Sequence, residues 1–453
     1  MAPVKGKMNL GLFFRPTGHH EGAWRLPGAR PDVSLDLSYW VEVARTIERA
    51  KLDFFFLADC DGMRGSYEEV QALCRDPMRT ISQFEPLTLM SALASTTSRL
   101  GLAATASTTY NEPFHIARKF ASIDHLSGGR AAWNVVTSAV DSCAANFSTR
   151  PHPAHDARYR VAHEFVGAVK GLWDSYDDDA MVFEKDTGLY FDPRKLHPLS
   201  HSGENYSVRG PLNVARPVQG HPVLIQAGAS GPGRELAASI ADVIFGSANN
   251  LDSAKIFYED VKTRADKMGR DPRHVKVMPG IFLVLGQSSS EAREKYERLQ
   301  ELVHPEVGLS ILQALLGFDL SSYALDEPLP LDLPESDRQQ AQQKNLIAQA
   351  HRDKLTIRQL YLRAVGAHGL LSVVGSIDEA ADLMEHWFKQ DAADGFNLMP
   401  GDMLESFKYM HQALVPELQR RGLFRTEYQG STLRENLGLP RPSARHRSTE
   451  VAA

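Results

Sequence analysis

The stretch from Leu100 to Ser138 constrains the fold more than any other part of the chain. It opens with a small apolar run, Leu100 to Ala106, and a polar turn from Ser107 to Pro113 follows. Next comes a helical stripe of Ile123, Leu126 and Phe120, then a Ser127-Gly128-Gly129-Arg130 turn and a second strand-like run, Ala131 to Thr137. Two short apolar strands joined through a helix can pair only in parallel, because the crossover returns the chain to the same end of the sheet. Thr105, Thr108, Asn134, Thr137 and Ser138 then gather where the strands end. Open sheets and barrels place their ligands at that end.

The same unit recurs along the chain. Strand candidates are Met8 to Phe14, Phe54 to Ala58, Leu100 to Ala106, Ala131 to Thr137, Val223 to Ala227, Asp242 to Phe245, Val275 to Leu285 and Gly395 to Met399. Eight βα units is the count of a TIM (β/α)8 barrel. Trp40, Val43, Ala44, Ile47 and Ala50 form the 3.6-residue stripe of a helix covering such a strand. A doubly wound open sheet is the rival, and the lack of a Gly-x-Gly-x-x-Gly turn after the first strand disfavours it. The spacing predicts one domain over residues 1–440, with long insertions after strands 4 and 7 at about 138–222 and 286–394, and a flexible tail over 441–453. Residues 317–343, with Pro328, Pro330 and Pro334 among Leu and Asp, cannot hold a helix and read as a lid over the barrel mouth.

Composition excludes several classes. A net charge of −6 and the absence of a Lys/Arg block argue against a nucleic-acid partner. No run reaches the roughly 18 apolar residues of a membrane helix, and the N-terminal residues carry no apolar signal core. A cytoplasmic protein is expected. The three cysteines, Cys60, Cys74 and Cys143, are too few and too irregularly spaced for a disulfide framework, and Cys60 reads as filler at a strand end.

Three clusters carry chemistry. Gln226-Ala227-Gly228-Ala229-Ser230-Gly231 runs from a strand into a helix start, where small residues and unused N–H groups suit an anion such as phosphate, or form a plain N-cap. His155 and Tyr159 stand four apart on one helix face, as a core cap or as site residues. Arg15, His19, His20 and Trp24 follow the first strand and either line a pocket or stand in a solvated loop. His19, His20, Asp59 and His155 could meet in a barrel, yet no His-x-His or His-Glu-x-x-His spacing supports a metal, and none is expected.

Taken together, several motifs resemble the flavin-dependent monooxygenases of the bacterial-luciferase superfamily. The branch is that of the nitrilotriacetate, EDTA, dibenzothiophene-sulfone and long-chain alkane monooxygenases. The resemblance is carried by Gly22-Ala23-Trp24-Arg25, Phe56-Leu57-Ala58-Asp59, Ser107-Thr108-Thr109-Tyr110, Ile123 to Arg130 and Trp133 to Ser138. It continues through His155-Asp156-Ala157-Arg158-Tyr159, Gln226 to Ser230 and Asp394 to Leu398, and so spans nearly the whole chain. It implies a TIM barrel holding FMN at the strand ends, with Asp59, Thr105, Asn134, His155, Tyr159, Ala229 and Ser230 as flavin contacts.

The resemblance also implies a two-component enzyme that takes reduced FMN from a separate NAD(P)H:FMN reductase and uses O2 to oxygenate a small sulfur- or nitrogen-containing compound. A homodimer or homotetramer is expected, pairing through the helix Trp40 to Ala50. Alkane-oxidising relatives carry a histidine immediately after the Asn-Val-Val-Thr-Ser run, where this chain has Ala139. The acid/base group is therefore open, with His19, His20 and His115 as candidates. Arg15, Trp24, Met63, Arg64, Phe84 and Tyr110 are candidates for the substrate pocket. A flavin-binding protein without turnover and a metal-dependent barrel hydrolase are the alternatives.

Overall fold

The computed structural model describes residues 6–63, 69–77, 79, 83–138, 140–147, 152–330, 346–348, 350–367 and 369–444. Ten parallel strands form one sheet: β1 Asn9–Phe13, β2 Phe54–Leu57, β3 Gly101–Ser107, β4 Ala131–Val136, β5 Val223–Gln226, β6 Val243–Ile244, β7 Lys276–Val277, β8 Gly280–Gly286, β9 Leu371–Ser376 and β10 Gly395–Pro400. Their order is β7-β6-β5-β4-β3-β2-β1-β10-β8-β9. β7 and β8 belong to a single passage of chain, interrupted at Met278-Pro279, where proline has no N–H to give the ladder. β7 pairs with β6 and β8 pairs with β10, so this passage joins the two edges and closes the barrel.

Each strand that the apolar runs predicted is present, shifted at its ends by a residue or so, and the seventh is split. One strand of this sheet went unpredicted. β9 pairs with β8 from Ile281 opposite Leu371 to Gly286 opposite Ser376, inside what the sequence reads as insertion. It covers the upper part of β8, on the edge away from β10.

Period-two alternation sorts the strand residues into two layers. Phe55, Leu57, Leu102, Ala104, Ala131, Trp133 and Val135 face outward into the main core under the helices. Phe54, Phe56, Ala103, Ala132, Val223, Ile225 and Val243 face inward and fill the lower barrel. Thr105 and Asn134, two residues beyond Ala103 and Ala132, therefore enter the next interior layer toward the C-terminal mouth.

The outer layer includes α1 Leu37–Arg49, α2 Pro86–Ala94, α3 Pro113–Ser127, α4 His155–Trp173, α5 Gly231–Ile240, α6 Leu251–Lys267, α7 Ser289–Glu301, α8 Pro305–Leu316, α9 Ile357–Ala367 and α10 Ile377–Lys389. The α1 stripe of Trp40, Val43, Ala44 and Ile47 is buried against the barrel, which removes it as a pairing surface.

Two further expectations change. The described part of the presumed lid, 317–330, is not an excursion: Leu320 and Leu329 are buried in a satellite core with α8 and α9, and the backbone amide of Ile357 bonds to Glu327 O at 3.0 Å. The remainder of that segment, 331–343, lies outside the described residues, as do Arg64 and Ala139. The presumed flexible tail begins pinned, because Arg441 donates to both Asp178 oxygens (2.7 and 2.5 Å) and Pro442 O accepts from Arg216 at 2.8 Å.

Candidate active site

The upper interior layer holds a short polar relay between apolar walls. Thr105 Oγ1 donates to Leu57 O at 2.8 Å, and Asn134 Nδ2 donates to Thr105 Oγ1 at 2.9 Å. Both residues are buried, and this order of donors leaves Asn134 Oδ1 as an acceptor with no partner among the described residues. A buried acceptor left unmet costs about 1–3 kcal/mol, so such an atom marks a place where a ligand donor completes the structure. Beside it lies an aromatic floor of Phe13, Phe56 and Phe245, with ring centroids 5.0 to 6.0 Å apart.

The turn from Gly228 to Gly231 forms the N-terminal cap of α5. Ser230 caps α5, its Oγ accepting from Gly233 N at 3.2 Å. A Cβ on Gly228 would meet Gly233 Cα at 2.6 Å, so the turn folds against the helix start only because both positions are glycine. Among the described residues the amides of Ala229, Ser230 and Gly231 donate to no protein group. Three such N–H groups at the positive end of a helix dipole form an anion cradle.

α4 contributes its first turn. The rings of His155 and Tyr159 lie 5.0 Å apart on one face, as their spacing predicted, and His155 Nδ1 meets Asp156 Oδ1 at 2.7 Å. Arg158, on the same turn, was not anticipated. Its Nη1 donates to His152 Nε2 at 2.7 Å, while His152 Nδ1 lies 2.7 Å from Tyr110 Oη. An arginine can only donate, so Nε2 is an acceptor and the neutral imidazole carries its proton on Nδ1, pointed at the Tyr110 oxygen. Tyr110 also stacks on Phe147, at 4.5 Å and 7°. The signal for His152 is thin in the sequence: one histidine among seventeen, three residues before His155.

The loop after β2 carries Asp59, Cys60 and Asp61. Ser138 Oγ donates to Asp61 Oδ2 at 2.9 Å and contacts Ser107 Oγ at 2.6 Å, which ties this loop to the ends of β3 and β4. Burial raises the Asp61 carboxyl above its ordinary range, and the Ser138 hydrogen bond offsets part of that. Glu21 is pushed up much further, first by burial and next by the neighbouring Asp76 carboxyl, with Arg15 opposing.

The remaining candidates separate. His19 is buried with its Nε2 2.8 Å from Phe13 O and its ring 4.6 Å from that of Phe13, so it stands on the aromatic floor. His20 is buried, and its Nδ1 accepts from Gly22 N at 3.0 Å. His115 is exposed on the first turns of α3, apart from the other two. Arg15 is half-buried with its guanidinium 5.9 Å from the Phe13 ring, Trp24 sits on a short turn of helix, Met63 is exposed, and Phe84 packs against Trp40 of α1.

A closed parallel barrel with a buried amide acceptor and a row of free amides at the C-terminal ends of its strands, above an aromatic floor, is a frame suited to an aromatic cofactor. The family model of the luciferase-like monooxygenases matches residues 8–406, and the chain belongs to that family. It is therefore a flavin-dependent monooxygenase. The N-acetyl-S-(2-succino)cysteine monooxygenase of Bacillus subtilis (strain 168) is 49% identical over 448 residues, 98% of this chain and 100% of that protein. The nitrilotriacetate monooxygenase component A of Aminobacter aminovorans is 48% identical over 440 residues, 96% of this chain and 97% of that protein. A crystal structure of riboflavin lyase with modified FMN and substrate riboflavin superposes with a TM-score of 0.83 at 30% identity, covering 97% of this chain and 98% of that one.

Proposed function

We propose that this monooxygenase takes reduced FMN and O2 as co-substrates and oxygenates a small sulfur- or nitrogen-containing organic compound. The buried Asn134 acceptor carries the reading, because none of the described residues satisfies it and a flavin ring N–H would. Thr105 fixes the orientation of Asn134; Ala229, Ser230, His155 and Tyr159 hold the phosphate end, and Asp59 borders the ring. Bound reduced FMN supplies the electrons that activate O2. Phe13, Phe56 and Phe245 keep water from that face.

We assign proton transfer to Tyr110, with His19 as the second candidate. The imidazole N–H of His152 stabilises charge on the phenol oxygen as its proton leaves, and Arg158 holds His152 in the tautomer that does so. Arg15, Trp24 and Met63 border the substrate on this reading. A separate NAD(P)H:FMN reductase supplies the flavin, which agrees with a relative named as component A and with the lack of a dinucleotide fingerprint. The protein acts in the cytoplasm as a homodimer or homotetramer.

Anaerobic titration with reduced FMN, followed by rapid mixing with O2, tests the reading. Saturable binding and a flavin absorbance transient absent from free FMN are expected. Reduced FMN that oxidises identically with and without the protein would overturn it. Tyr110→Phe should keep the flavin affinity while slowing product formation by about 10²-fold.

A further inference from the structure

The two sulfur atoms at the barrel mouth are placed to react with each other. Cys60 follows β2 and is half-buried; Cys143 lies on the single-turn helix Asp141–Ala144 after β4 and is fully buried. Their Sγ atoms are 3.1 Å apart, across 83 residues of sequence. Both remain thiols. A disulfide bond is about 2.05 Å long, so closure asks for an approach of about 1 Å.

The two segments are already registered around the sulfurs. Asn146 Nδ2 donates to Asp61 O at 3.1 Å, Ser142 Oγ donates to Met63 O at 2.9 Å, and Ser138 Oγ donates to Asp61 Oδ2 at 2.9 Å. Gly62 packs so closely on this segment that a Cβ there would meet Asn146 Nδ2 at 2.7 Å, with Cys143 Sγ next at 3.4 Å. The third cysteine, Cys74, is exposed and bonds within its own turn, to Gln71 O at 3.2 Å.

We propose that Cys60 and Cys143 form a reversible oxidation site for hydroperoxides, closing to a disulfide that locks the loop after β2 to the segment after β4. The thiolate of Cys60, the more accessible sulfur, attacks hydrogen peroxide: an S–O bond forms, the O–O bond breaks, and the departing hydroxide takes up the proton the thiol released and leaves as water. Cys143 then attacks the Cys60 sulfur: the S–S bond forms, the S–O bond breaks, and the departing hydroxide takes up a proton as a second water. Two thiols lose two electrons and one hydrogen peroxide becomes two waters. In a reducing compartment such a bond is transient, as expected of a sensor rather than a structural brace. It would hold Asp59 and Ser138, which flank the sulfurs, in one arrangement. The peroxide source rests on the proposed flavin reaction, since reduced flavin oxidised without substrate yields hydrogen peroxide here.

The test uses the full-length protein in two arms. In the first, stoichiometric hydrogen peroxide is added without flavin. The titre of free thiols, read after denaturation, should fall from three to one per chain, a Cys60–Cys143 peptide should appear on non-reducing mapping, and dithiothreitol should reverse both. Cys143→Ser, with Cys143→Ala as a second variant should serine disturb the buried site, should leave Cys60 as a sulfenic acid trapped by dimedone. Cys60→Ser should leave the remaining thiols intact. An unchanged thiol titre in the parent, or oxidation confined to Cys74, overturns the proposal. In the second arm reduced FMN and O2 replace added peroxide. Oxidation in the first arm alone supports the thiol site and counts against the flavin reading, so the two failures are distinct.

Discussion

The two ends of the barrel use polar residues in opposite ways. At the N-terminal end, buried charges are joined to partners by a plug built from the last residues described. Arg425 pairs with Asp53, which also accepts from Leu10 N at 2.7 Å and Asn9 Nδ2 at 3.1 Å. Arg434 donates to Asp242 Oδ2 at 2.7 Å and to His221 O at 2.8 Å. Leu433, Leu437 and Leu439 from the same segment fill the lower barrel. At the C-terminal end, Asn134 Oδ1 and the amides of Ala229 to Gly231 meet no partner among the described residues. At the closed end the charges are paired within the fold, Arg425 Nη1 alone of that pair lacking a partner among the described residues, whereas at the open end an acceptor and a row of donors stay available to a ligand.

The largest expected effect tests the closed end. Asp53→Ala leaves Arg425 buried and uncompensated and should lower unfolding stability by about 3–5 kcal/mol, read by denaturant titration. The fraction still folded should bind reduced FMN as the parent does. A loss below 1 kcal/mol would remove the distinction between the ends. Next comes Ser230→Asp. Aspartate caps a helix as well as serine does, so stability should hold, while its charge repels a phosphate in the cradle. Reduced-FMN affinity should fall at least tenfold, about 1.4 kcal/mol, by anaerobic titration. Unchanged affinity would remove the phosphate from this turn.

How far each end was legible in the sequence follows from the range of the signals. The strands are apolar runs with turn residues beside them, a local pattern, and the runs gave barrel strands at the expected places. β9 was missed because a run of six residues with Ser372 exposed reads as weak edge. The signal that would have found it is the Ser376 and Glu379 capping box that starts α10 at its end. The plug escaped notice because Arg441 meets Asp178 across 263 residues, and only the fold sets that pairing. Cys60 read as filler for the same reason. At the mouth, Thr105 and Asn134 stood out by type and strand position, whereas their proposed role as flavin contacts came from the family resemblance. The tautomer at His152 needs Arg158 in place, a fact of geometry that no spacing reveals.

A third prediction sharpens the contrast. Asn134→Leu removes an acceptor that the ligand-free protein leaves unmet, so it should raise stability or leave it unchanged while weakening flavin binding. At the closed end the same kind of polar-to-apolar change, Asp53→Leu, should destabilise. If Asn134→Leu instead unfolds the protein as Asp53→Ala does, the mouth is braced by its polar groups and the comparison fails.

The smallest effect concerns Asp61, the carboxylate that links the loop after β2 to Ser138. Burial raises its folded-state pKa above the ordinary value of 3.8. A raised carboxyl binds its proton more tightly folded than unfolded, so its contribution to stability is fully present below the unfolded pKa and is lost as pH rises through the folded one. Asp61's own contribution to parent stability should therefore decline as pH climbs from the ordinary carboxylate range. Asp61→Asn cannot titrate, yet its amide oxygen can still accept from Ser138 Oγ. Its stability, relative to the parent, should improve over that interval and stay level beyond it, by denaturant unfolding at a series of pH values. Because the residue is partly exposed, solvent screens the effect and the change should be well below that of Asp53→Ala. A relative stability that falls as pH rises would mean that Asp61 is held as a stabilised carboxylate, and that the open end contains a satisfied charge after all.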